Sequence, residues 1–240
     1  MKKMYIKSKG FRYRKSLNNG LIYLVLILIK KRIHFELSIL FIEEVLLLAK
    51  TLYLMRHGQT LFNFKGLIQG FGDSPLTELG IAQAQKARSY YETKGINFDL
   101  YASSTQERAS DTLENVAPNQ SYQRFKGLKE WHFGLFEGES VYLFDNLYKP
   151  EDLFGDRIVP FKGEARQQVE DRIVKTLHDI MSQTKNNALV VSHGTIMGVF
   201  LRYCLKLDEA LKHNIGNCNI LKFEYDNGTF KFVELIDPNL

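Results

Sequence analysis

Cysteine is scarce: only Cys204 and Cys218 occur, in no Cys-x-x-Cys pair and at no metal-ligand spacing. Neither a disulfide framework nor a zinc site is indicated, and a reducing cytoplasm fits such usage. Long apolar runs are also missing. Residues 21–29 are nine consecutive apolar positions, whereas a spanning helix needs roughly 20. Lys30, Lys31 and Arg32 then stand where a signal peptide would carry small cleavage-site residues, so secretion is not expected. Nor does the chain carry a distributed excess of positive charge. Of its formal +5, residues 1–47 hold 10 Lys/Arg against 3 Asp/Glu, leaving 22 basic and 24 acidic residues for the rest. A basic balance confined to one tail gives no folded basic surface, which sets nucleic acid aside as a partner.

What is present is enough for one sizeable core: 240 residues, 45% of them hydrophobic. Apolar runs at 51–55, 98–102 and 188–192 are bounded by polar or glycine residues and read as buried strands. Between them Thr77 caps a helix whose apolar face is Ile81, Ala84, Ala87 and Tyr91 and which Gly95 ends. Further helices are expected over 105–116, over 164–183 with Val169, Ile173, Leu177 and Ile180 on one face, and over 195–205. Runs 219–225 and 229–235 flank Asp226-Asn227-Gly228, a hairpin signal. The alternation predicts an α/β fold, a layered α/β/α arrangement with a mostly parallel central sheet and a C-terminal hairpin at its edge. Functional groups then belong at the carboxyl ends of strands.

Two predicted strands end alike, in Arg56-His57-Gly58 and in Ser192-His193-Gly194. A single strand-end histidine is most simply a cap on a carbonyl, but two in one context point to a shared site. Glycine after each lets the chain turn sharply and approach a ligand. Arg56 and Arg108 follow strand ends too, and guanidinium groups suit a phosphate dianion because they stay charged and bind oxyanions through planar pairs of donors.

The ordered set Arg56-His57-Gly58-Gln59-Thr60 with Asn63, Gln69-Gly70, Asp73-Ser74-Pro75-Leu76-Thr77, Gly80, Leu128-Lys129-Glu130, Gly134, Glu137-Gly138 and Ser192-His193-Gly194 resembles the histidine phosphatase superfamily. That group includes the phosphoglycerate mutases, and the resemblance covers about residues 51–237. It implies a catalytic group of His57, Glu130, Arg56, Arg108 and His193. His57 would be the nucleophile, with Arg56, Arg108 and His193 on the phosphoryl oxygens. Glu130 would be general acid and base, its proton retained by burial beside Trp131, Phe133 and Phe136. Substrate contacts are implied from Arg56, Gly58, Gln59, Thr60, Asn63, Gln69, Arg108 and Gly194. Glu137 is a rival acid, ranked behind Glu130 as a residue that orients backbone. No metal and no cofactor are expected. Partners are a small phosphorylated substrate, with a homodimer left open.

Family mutases typically place an arginine directly after the acid; here the chain reads Glu130-Trp131-His132-Phe133-Gly134. The resemblance therefore implies hydrolysis of a phosphate monoester through a phosphohistidine, with a cofactor-dependent mutase or a non-catalytic phosphate-binding protein as alternatives. Trp131, Phe133, Phe136, Tyr142, Phe144 and Tyr148 offer aromatic surface either to a leaving group or to a packed lid.

Residues 1–47 are expected to be translated upstream sequence, with the domain at 48–240. Leu48 can be encoded by UUG, a bacterial start, and Glu43-Glu44-Val45 by GAG-GAG-GUN, which contains a ribosome-binding sequence. The competing reading is an amphipathic anchor that touches a membrane through Lys30, Lys31 and Arg32.

Overall fold

The computed structural model describes residues 30–32, 50–144 and 146–240. The chain divides after Leu48 into two units. Of the first, residues 30–32 are described, helical and exposed; the other expectations for the leader lie outside the described residues. Among the described residues no helix is long and apolar enough to cross a membrane.

The second unit is built on a six-stranded sheet in the order β3-β2-β4-β1-β5-β6. Its strands are β1 (Lys50–Arg56), β2 (Leu100–Ser104), β3 (Gln123–Phe125), β4 (Asn187–Ser192), β5 (Ile220–Asp226) and β6 (Thr229–Ile236). The first four in that order run parallel; β5 joins β1 antiparallel and closes the hairpin with β6. Helices are α1 (Leu61–Lys65), α2 (Glu78–Thr93), α3 (Glu107–Val116), α4 (Arg166–Gln183), α5 (Gly194–Cys204) and α6 (Leu207–Ala210).

Alternation along the central strands sorts the core into two layers. Leu52 and Leu54 of β1, with Ala188 and Val190 of β4, face α4 residues Val169, Ile173 and Leu177 and α5 residues Ile196 and Phe200. Tyr53, Met55, Leu189 and Val191 face the other way, onto Ala84, Ala87 and Tyr91 of α2 and Ala109 and Leu113 of α3. Burial of each large aliphatic side chain is worth about 1.5–3 kcal/mol, so both layers resist any register slip that would turn these faces outward.

Three details differ from the sequence reading. Strand β2 starts at Leu100 rather than 98. The Asp99 carboxylate accepts from the N–H groups of Lys185, Asn186 and Asn187 and so ties the chain down before the ladder begins. Ile81 is 37% exposed, because Gly80 rather than Ile81 is the buried member of that helix face. The short β3, mostly polar, has no apolar signal to announce it.

Candidate active site

The parallel register pairs Arg56 with Ser192, so the next residue on each strand is a histidine beside a histidine. The ladder continues one step, with His57 N–H donating to the Ser192 carbonyl at 3.0 Å, and the ring centroids lie 5.2 Å apart. Both imidazoles are buried, at 3% and 0% exposure.

Their hydrogen bonding differs. His57 Nδ1 lies 2.8 Å from the Gly58 carbonyl. A carbonyl only accepts, so the proton sits on Nδ1 and the lone pair is left on Nε2. Burial, then the charges of Arg108 and Arg56, hold this imidazole well below its usual 6.5. It is a neutral base at neutral pH. His193 is likewise pushed well below 6.5 by burial, Arg108 and His57, and neither of its ring nitrogens has a partner among the described residues.

Two guanidinium groups complete the cluster. Arg56 Nη1 donates to the Ile215 carbonyl at 2.8 Å and Arg108 is held by the Gly70 and Gly72 carbonyls and by Asp73 at 2.9 Å. Nε of each is buried and lacks a partner among the described residues. Buried orphan donors are costly and rare. Three orphan donors, Nε of Arg56, Nε of Arg108 and the single N–H of neutral His193, fall within one electrostatic cluster, a set suited to an anion.

Glu130 approaches from the loop after β3, 8% exposed. Its carboxylate accepts from Trp131 N–H at 2.9 Å, Thr195 N–H at 3.1 Å and Ile196 N–H at 3.0 Å. The latter two are the free donors at the start of α5, so Glu130 supplies the cap that His193 does not. The backbone around Glu130 is fixed in turn. Arg172 donates to the carbonyls of Gly127, Lys129 and Glu130, and Gln106 accepts from Glu130 N–H while donating to Gly70.

The expected substrate-contacting residues are distributed unevenly. Gly58 N–H donates to Thr112 Oγ1 at 3.0 Å, and a methyl group there would lie 2.4 Å from the Gly80 carbonyl oxygen. Gln59 Oε1 accepts from Thr77 Oγ1. Thr60 caps α1, and its hydroxyl accepts from Gln69 Nε2 at 2.5 Å. These side chains join the first loop to the start of α2. Asn63 Oδ1 accepts from Thr60 N–H and from Asn217 Nδ2, the latter also holding the His57 carbonyl. Gly194 packs against Arg56, where an added methyl group would lie 3.1 Å from Nε.

Glu137 has another role. It accepts from the N–H groups of Phe71, Gly72 and Phe133, which pins the loop whose carbonyls hold Arg108. Sequence reasoning missed Gln106, Arg172 and Asn217, which act across the fold with no local pattern to mark them, and placed Asp73 in the motif without its role as the partner of Arg108.

The aromatic segment is mostly packing. Trp131 is fully buried, with its indole N–H on the Glu164 carbonyl at 2.8 Å. Phe133 and Phe144 pack on Phe154, and Phe136 on Phe161. Tyr142 is exposed; of the six, Tyr148 alone lines the adjoining cavity. That cavity, about 410 Å³, is walled by Arg56, Glu130, Gly194 and Thr195 on the side of the cluster. Both thiols are free, and burial pushes Cys204 and Cys218 up to about 12, so neither rivals imidazole as a nucleophile.

The sequence profile of the histidine phosphatase superfamily (branch 1) matches residues 52–238. The chain is 34% identical over 154 residues to a putative phosphoserine phosphatase 2 of Hydrogenobacter thermophilus, covering 60% of this chain and 73% of that one. It is 26% identical over 193 residues to a broad-specificity phosphatase of Saccharomyces cerevisiae, covering 76% and 82%. Among solved structures, a phosphoglycerate mutase from Bacillus anthracis superposes with a TM-score of 0.70 at 25% identity, covering 80% of this chain and 94% of the other.

Proposed function

Because the chain belongs to the histidine phosphatase superfamily, branch 1, we propose that it hydrolyses small-molecule phosphate monoesters through a phosphohistidine on His57. The observation that carries the reading is the pair of strand-end imidazoles, one donating its Nδ1–H to the Gly58 carbonyl and both within the reach of Arg56 and Arg108 charge.

In the first step His57 Nε2 attacks phosphorus and the bond from phosphorus to the ester oxygen breaks. Glu130, entering this step in its protonated form, gives that proton to the departing alkoxide. Water then attacks the phosphohistidine, Glu130 takes the water's proton, and inorganic phosphate leaves with His57 restored. Arg56, Arg108 and His193 offset the negative charge that develops on the outer oxygens, the largest electrostatic contribution in such a transfer. Metal independence is part of the proposal: Arg56 and Arg108 supply the cationic charge, and neutral His193 supplies a hydrogen bond. A cytoplasmic setting is part of the same proposal.

Hydrolysis is favoured over a mutase reaction by Trp131. The position after the acid carries a fully buried indole, so it offers no charge to retain a phosphorylated intermediate. The test is a brief reaction with phenyl phosphate in EDTA, then quenching. The expected result is turnover and an acid-labile, base-stable phosphoprotein that is lost in His57→Asn. A base-labile adduct, or full loss of turnover on chelation restored by Mg²⁺, overturns the mechanism.

A further inference from the structure

His57 is fastened on both flanks of its strand. Its N–H donates to the Ser192 carbonyl on the side of β4, and its own carbonyl accepts from Cys218 N–H at 3.3 Å on the side of β5. That second bond carries the antiparallel pairing of β1 and β5 past Ile220. Cys218 is buried, with φ at +58°, a left-handed backbone that a residue with a side chain adopts when its surroundings impose it. Asn219 closes the turn, its Oδ1 accepting from Gly216 N–H at 2.7 Å. The same loop takes Arg56 Nη1 on the Ile215 carbonyl. Residues 215–219 thus clamp the first strand end from behind, and their turn sets Asn217 beside Asn63.

Asn217 uses one nitrogen twice. Nδ2 donates to the His57 carbonyl at 3.0 Å and to Asn63 Oδ1 at 3.3 Å, and an amide nitrogen has two hydrogens to give. Both partners are fixed as acceptors. The first is a backbone carbonyl; the second already accepts from Thr60 N–H at 3.2 Å, a group that only donates. Opposite two acceptors, Asn217 must present its NH2 group. Asn63, in turn, must keep its oxygen toward Thr60 and Asn217, which directs its own Nδ2 away from both. That nitrogen has no partner among the described residues, and it is not sealed from solvent as the ring nitrogens of His193 are.

We infer that Asn217 is a positioning residue: it sets the polarity of the Asn63 amide, so that Asn63 offers the phosphoryl group a hydrogen-bond donor and keeps its oxygen turned away. This rests on the phosphatase reading and deepens it, because a phosphoryl oxygen is drawn to an N–H and repelled by a carbonyl oxygen in the same place. One nitrogen then fixes the backbone of the nucleophile and the orientation of a second group that meets the same phosphate.

Asparagine and aspartate share a shape and differ in what they present. Asn217→Asp sets a carboxylate oxygen against two acceptors, and Asn63 then gains by turning its NH2 toward position 217 and its oxygen toward the phosphoryl group. The inhibition constant for vanadate and kcat/KM on phenyl phosphate are measured for the wild type, Asn217→Ala and Asn217→Asp, each with Asn63 intact and again with Asn63→Ala. The vanadate constant does not depend on how many molecules are folded. Asn217→Ala is expected to weaken vanadate by about three- to tenfold, the span of one neutral hydrogen bond, and Asn217→Asp by about tenfold more. With Asn63→Ala there is no amide to turn, so the Asp-to-Ala ratio at position 217 should shrink to the part that charge repulsion alone supplies. Asn63→Ser replaces Asn63→Ala if loss of the α1 cap unfolds the chain. An Asp-to-Ala ratio equal in both backgrounds refutes the assignment. So does Asn217→Ala with earlier urea unfolding and unchanged vanadate affinity, the mark of a merely structural role. In either case wild-type turnover of phenyl phosphate leaves the phosphatase reading standing; a wild type that neither hydrolyses it nor binds vanadate removes both.

Discussion

The two strand ends that meet at the site carry the same His-Gly sequence and are built differently. At β1, His57 spends Nδ1 on the following carbonyl, and Gly58 is needed because its backbone lies against that of Gly80. At β4, His193 holds no partner among the described residues, and Gly194 is needed because the Arg56 side chain lies across it. One end is fastened to the scaffold and the other to a functional group. The repeated motif marks both ends of the candidate site, and the hydrogen bonds around each copy separate the two in the proposed mechanism, where His57 attacks and His193 assists.

The strongest way to break this comparison is to exchange the two imidazoles for amides. His57→Asn is expected to abolish turnover, and His193→Asn to retain the phosphoenzyme while lowering kcat by about 10²–10³, the loss typical of one oxyanion donor. Rapid-quench kinetics on each variant measures it, and equal losses with no adduct in either would erase the distinction.

The glycines test the same asymmetry through stability. Gly58→Ala drives a methyl group to 2.4 Å from a backbone oxygen and is expected to cost about 1–3 kcal/mol, as overpacking does. In Gly194→Ala the nearest atoms, at 3.1–3.3 Å, belong to the Arg56 side chain. That strain is offset by up to about 1 kcal/mol of better helix propensity. Its stability should stay near wild type while turnover falls, because Arg56 must shift. Urea unfolding paired with kinetics separates the two.

The smallest expected effect is on pH. His57 and His193 are both depressed below 6.5 in the folded chain, so the unfolded chain binds protons first as pH falls. Their contribution to stability is then complete above about pH 6.5 and lost below it as pH falls toward the folded values. Thermal midpoints measured across that window should decline in the wild type and less steeply in His57→Asn and in His193→Asn. An unchanged slope in both variants would assign the acid sensitivity to other groups.

How much of this was legible in the sequence depended on how local the cause was. Strands β1 and β4, the hairpin at Asp226-Asn227-Gly228 and the histidine pair are written in short apolar runs and turn residues, and could be read directly. Glu130 was identifiable through the ordered motif, but its capping of α5 joins positions 65 and 66 residues apart. Gln59, Thr60 and Gln69 show polarity without direction; only the folded loop reveals that they bond to one another and to Thr77. Trp131 read either as surface for a leaving group or as packing, and the fold decides for packing, since an aromatic residue beside a motif has no periodicity to tell its two fates apart.

The register of β1 against β4 sets a gauge for the site. Neighbouring strands lie about 4.8 Å apart in any sheet, and the two imidazoles stand on adjacent strands at the same level, with centroids 5.2 Å apart. The ladder sets the spacing of the two backbones, and the hydrogen bond from His57 Nδ1 to the Gly58 carbonyl holds one ring in place on it. Substitutions that loosen the helices around it can drain stability without altering that gauge. A weakened molecule should therefore work at full efficiency for as long as it is folded, with its activity failing at the temperature where the sheet itself comes apart.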